Sequence, residues 1–160
     1  MNDEQNKRLA GFLSLRQRYR WSVVLYEPLK PLIDRENRGQ PLSARESTHA
    51  DALVGFWLAS LWVLTEGWQR LGLSQPTVDA CLADSRVELL KRFRNVVFDF
   101  EAEYLDPNAS DLHADRCNTV AWANGLVSSL KGVLRPRQDD KEMRDIMRWV
   151  LTGDGRLGAA

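Results

Sequence analysis

The densest run of chemistry-bearing residues is Leu89 to Pro107, LLKRFRNVVFDFEAEYLDP. Lys91, Arg92 and Arg94 gather three cations in a chain whose 22 Lys and Arg are balanced by 22 Asp and Glu. Asn95 and Asp99 stand four residues apart, which puts them on one face of a helix with Arg94 at its shoulder. Polar side chains grouped in this way need partners, either among themselves or in a ligand. One reading of the spacing is purely structural, an Arg–Asp bridge with a capping Asn. The other is a site.

Other chemistries are poorly served. The sequence has no GxxxxGK[ST] or GxGxxG loop to cradle phosphates and no HExxH, CxxC or EF-hand spacing, so neither a cofactor nor a metal is expected. His49 and His113 sit in polar contexts and share no cluster; both read as surface or capping groups. Glu101 and Glu103 read as a solvated helix face, and Cys81 and Cys117 as buried, reduced thiols. A net charge of zero excludes a nucleic-acid coat or an acidic mimic, both of which depend on long-range charge, but leaves room for a local basic patch. Arg16, Arg18 and Arg20 spread around their helix instead of lining one face, as solvated residues do.

The elements that position these residues are helical. Leu9, Phe12, Leu13, Tyr19, Val23 and Tyr26 recur at mostly three- and four-residue steps, predicting a helix from Asp3 to Tyr26 that Pro28 and Pro31 end or kink, then a polar loop over Asp34 to Pro41. Ser43 and Glu46 form an S-x-x-E capping box before Leu53, Trp57, Leu61, Leu64, Trp68 and Leu71, with Gly72 as the stop. That helix is apolar nearly all round, so it lies at the centre of a bundle or against a second copy. A short helix is expected over Thr77 to Ala83, and Ser85 with Glu88 opens the helix carrying Leu89, Phe93, Val96, Val97 and Phe100 inward. Two more follow, from Asp115 to Leu134 and from Asp139 or Asp140 through Met143, Ile146, Met147 and Val150. The expectation is an all-α, up-and-down bundle of four to six helices, one domain over residues 1–151, with a flexible tail over 152–160. The charged N-terminus lacks a signal-peptide core and the most apolar run, Leu53 to Leu64, is too short to span a bilayer, so a cytoplasmic protein without membrane contact is expected. Trp57 and Trp68 share the main stripe while Trp62 points elsewhere, which suits a core plus a subunit interface.

The run LLKRFRNVVFDF, with SLWVLTEGWQRLGL before it, resembles the HEPN superfamily. It is similar to small bacterial members with an aromatic-rich helix ending in EGW, followed by LLRRFRN-x-VFHF. The resemblance covers Phe56 to Pro107. It implies a helical bundle that pairs through the face carrying the motif, with no cofactor or metal. Many HEPN proteins are metal-independent ribonucleases of toxin–antitoxin, CRISPR and anti-phage systems; others are non-catalytic binding modules. Their signature is R-x(4–6)-H with a polar residue, often Asn, after the Arg. By that resemblance Arg94 and Asn95 match the motif, while Asp99 stands in the histidine's place.

That substitution decides the expected chemistry. RNA cleavage by the 2′-OH needs a base, an acid for the leaving oxygen and a cation on the phosphorane. An imidazole with a pKa of about 6.5 can serve as either acid or base, whereas an aspartate of about 3.9 is anionic, cannot donate, repels phosphate and neutralises Arg94. The expectation is a catalytically degenerate homodimer that binds a protein from the same locus, or RNA, weakly and salt-dependently, through Lys91, Arg92 and Arg94. Two alternatives stay open. One is an active ribonuclease using Arg94 and Asn95 with a non-standard acid–base group; the other is a helical scaffold or antitoxin-like subunit unrelated to RNA.

Overall fold

In the computed structural model, which describes residues 1–98, 116–135 and 140–154, the apolar periodicity becomes an all-α bundle. Among the described residues the helices are α1 (Asp3–Asn37), α2 (Ala44–Arg70), α3 (Pro76–Leu82), α4 (Arg86–Phe98), α5 (Arg116–Leu134) and α6 (Asp140–Thr152). None of them is long and apolar enough to cross a membrane.

The first helix departs most from its expected bounds. It runs through Pro28 and Pro31 to Asn37, where a stop near Tyr26 was predicted. Each proline removes the amide that would bond the carbonyl four residues back, at Val24 and Glu27. Those two residues and both prolines are exposed, so water can reach the freed carbonyls. On the opposite face Leu29 and Ile33 are buried, and their burial carries the helix past the prolines.

The second helix begins as predicted. The Ser43 hydroxyl accepts from the Glu46 amide, and the Glu46 carboxylate accepts in return from the Ser43 amide at 2.8 Å. It ends in a Schellman turn: Gly72 adopts φ +61°, the Leu73 amide donates to Trp68 and the Gly72 amide to Gln69. Between these ends Val54, Trp57, Leu58, Leu61, Leu64 and Trp68 are buried. With α1 and α4 as its main neighbours, α2 is the central helix of the bundle. Contacts of Leu15 with Gly67 and of Leu71 with Gly11 pair early with late residues, so α1 and α2 run antiparallel. A Cβ on Gly67 would stand 2.8 Å from Leu15 Cδ1, so the absence of a side chain sets how closely these two helices approach.

The short elements start within a residue of expectation but are capped by other groups. Gln75, one residue after Ser74, caps α3 by accepting from the Val78 amide at 2.9 Å. The turn into α4 is held by Asp84, whose carboxylate takes the Arg86 amide at 2.9 Å, where Ser85 was expected to cap. Trp149, absent from the predicted core, is buried in α6 and meets Phe12 with ring centroids 5.7 Å apart. Gln5 donates to the Leu151 carbonyl at 3.3 Å, so the end of α6 lies against the start of α1. Residues 155–160 of the expected tail, along with Asp115, Pro136 and Asp139, lie outside the described residues.

Candidate nucleic-acid interface

The helical geometry of α4 sorts the candidate residues. Val87 and Leu90 are buried, and Phe93 and Val97 are half-buried beside them, fixing the face turned to the bundle. Lys91, Arg94, Asn95 and Phe98 follow at steps of three, one and three, a strip along the edge of that buried face. Lys91 and Arg94 are exposed, and Asn95 is half-buried. Arg92, two residues before Arg94, projects from the opposite side of the helix. The three cations therefore divide, with Lys91 and Arg94 together and Arg92 apart.

The Arg94 guanidinium donates to the Asn95 side-chain carbonyl at 3.1 Å. This joins the two residues expected to match the motif and directs the Asn95 oxygen to the cation. Asp99, the third member, lies outside the described residues, as do Phe100, Glu101, Glu103 and His113. Among the described residues of α4 there is no imidazole, and Glu88 is the lone carboxylate. On the described strip the exposed charges are the cations Lys91 and Arg94. His49 is exposed on α2, consistent with a surface group.

Beside the strip is an aromatic surface that the periodicity did not reveal. Phe98, one turn beyond Arg94, is 60% exposed and meets Phe56 of α2 edge-on, with centroids 6.2 Å apart. Trp21 of α1 is 53% exposed and lies under the Arg18 guanidinium, 5.9 Å from the ring centroid. These residues border a groove of about 230 Å³ floored by Leu25, Ala59 and Val63. Gly55 lets α4 come close here, since a Cβ would lie 3.2 Å from Val97 Cγ2. Trp62, expected at an interface, is half-buried and packed against the core. Spacing alone held one clue: Phe98 is four residues after Arg94, and Phe56 lies off the stripe of α2. Exposure was hidden because apolar residues on a central helix are most often buried.

The base of α4 is held electrostatically. Arg86 grips Asp84 through Nε at 2.9 Å and Nη2 at 2.7 Å, and the guanidinium stands 5.5 Å from the Trp122 ring centroid on α5. The hydrogen bonds from the Arg86 side chain and amide hold the Asp84 pKa down at about 2. Cys81 carries a free thiol, half-buried, with Sγ 3.7 Å from the Ser129 hydroxyl. No protein-family model matches this chain, and no curated protein or solved structure does.

Proposed function

We propose that the chain is a HEPN-like domain of a toxin–antitoxin or anti-phage system that has lost ribonuclease chemistry and acts by binding single-stranded RNA as a homodimer. The observation that carries the reading is the pairing of exposed Phe98 with Arg94 one turn away on the same edge of α4. Aromatic rings stack on bases without regard to sequence, and nearby cations hold the backbone phosphates. In a chain of zero net charge, one such strip is a weak site. Two strips brought together across a two-fold axis double the local charge. With Asp99 in place of an imidazole the bound RNA stays uncleaved.

The test combines solution mass by light scattering with RNA binding and cleavage by the purified protein. A dimer mass is expected, with binding that falls steeply with salt, no cleavage, and loss of binding in Arg94→Ala and Phe98→Ala. RNA cleavage that disappears in Arg94→Ala would instead establish an active ribonuclease. A protein that neither dimerises nor binds RNA would be the unrelated helical scaffold. Asp99→His examines the chemistry directly, because cleavage gained only in that variant identifies the missing group.

A further inference from the structure

Between α1 and α5, on a different side of α1 from the α4 strip, runs a groove of about 740 Å³. Its walls are ordered by polarity. Val127 and Lys131 on α5, and Arg135 one residue past its end, succeed one another at four-residue steps, passing from apolar to cationic. On α1, Val23 faces the apolar end, and Tyr19 and Arg20 face the cationic end, because the two helices run antiparallel, with Tyr26 opposite Asn124. No carboxylate is among the lining residues, and Arg20, Lys131 and Arg135 make no ion pair among the described residues.

Tyr19 adds an independent sign of a ligand. The residue is only 6% exposed, yet its hydroxyl has no hydrogen-bond partner among the described residues and is not sealed in the interior; it opens on the groove. A largely buried tyrosine whose hydroxyl reaches a groove offers that donor to whatever occupies the groove. Burial raises its pKa above the ordinary value, with the Arg135 charge partly opposing, so the group is a neutral O–H donor. A donor and three cations at one end, with valines at the other, match an anion carrying an aliphatic tail. A bare anion would leave the valines uncovered, and an uncharged chain would leave the cations unmatched.

We propose that the α1–α5 groove is a binding site for a medium-chain aliphatic carboxylate, its head group at Tyr19, Lys131 and Arg135 and its chain over Val23 and Val127. The site is separate from the proposed RNA face and does not depend on it. The volume falls within the range of about 300–1,000 Å³ typical of small-molecule sites.

The experiment is calorimetric titration of the whole protein with decanoate below its micelle concentration, with decanol and acetate as the chain-only and head-only probes. The expected result is one decanoate per chain, with decanol and acetate each bound at least about tenfold more weakly. Lys131→Gln/Arg135→Gln changes only exposed side chains and should weaken decanoate by about tenfold or more. Tyr19→Phe keeps the ring and should weaken it by about three- to tenfold. Far-UV circular dichroism and melting confirm that each variant is folded. Absence of decanoate binding to the folded wild-type protein overturns the proposal. So does decanol binding as tightly as decanoate, or an unchanged affinity in the folded double variant.

Discussion

The side-chain amide of Asn124 donates to the Tyr26 hydroxyl across 2.7 Å, joining α5 to α1 over a separation of 98 residues. The Tyr26 ring in turn packs on Trp57 of α2, with centroids 4.7 Å apart and planes inclined at 32°. One side chain therefore ties three helices together.

Tyr26→Phe keeps the ring on Trp57 but takes the acceptor from a partly buried amide. It should lower unfolding free energy by about 1 kcal/mol, the net worth of such a bond. Tyr26→Ala loses the aromatic contact as well and should cost clearly more. Urea denaturation with matched slopes measures both.

Gly67→Val adds a branched side chain where even a single Cβ would stand 2.8 Å from Leu15 Cδ1. Leu15 is buried, so it cannot swing into solvent. Overpacking should destabilise by about 1–3 kcal/mol and lower the melting temperature. Gly67→Ala should be milder, because better helix propensity offsets part of the clash.

Glu46 and Asp84 each contribute to acid sensitivity. The Ser43 amide, then the Arg35 and Ser43 side chains, hold Glu46 at about 2, and Arg86 holds Asp84 at about 2. In the unfolded chain both titrate near their ordinary values of about 4. The folded pKa is the lower one, so their stabilisation is fully present above about pH 4 and is lost as pH falls through about 2. Asp84→Asn should be less stable than wild type at pH 7 and should converge with it near pH 2. Denaturation midpoints across that range give the comparison.

Trp149→Ala removes a fully buried ring that packs on Phe12. The loss should be about 3–5 kcal/mol, as for other buried aromatic truncations. Because Gln5 and Leu151 join the same two helices, hydrogen exchange should accelerate first in α6 and in the first turns of α1.

Local signals in the sequence were enough where the physics was local. Ser43 and Glu46 cap their helix as the S-x-x-E spacing dictates, since both partners lie within one turn. The same pattern at Ser85 and Glu88 placed the start of α4 correctly, at Arg86, but not the group that holds the turn, because Asp84 offers Arg86 a charged acceptor that a hydroxyl cannot match. Pro28 and Pro31 signal a stop on local grounds, and α1 overrides them through the burial of Leu29 and Ile33 on its other face.

The candidate site divides in the same way. Sequence by itself determined an all-α bundle, the central place of α2 as one of two readings, and Arg94 beside Asn95 one turn after Lys91; each follows from helical period and capping. Tertiary structure decided which apolar residues stay outside. Trp21, Phe56 and Phe98 come from three helices far apart in the chain, and their shared surface exists only once α1, α2 and α4 have packed. It also set the cationic end of the α1–α5 groove, where Tyr19 meets Lys131 and Arg135. Periodicity tells which side of a helix is apolar; which neighbour covers that side is settled by packing between helices, and the order of residues in the chain does not encode it locally.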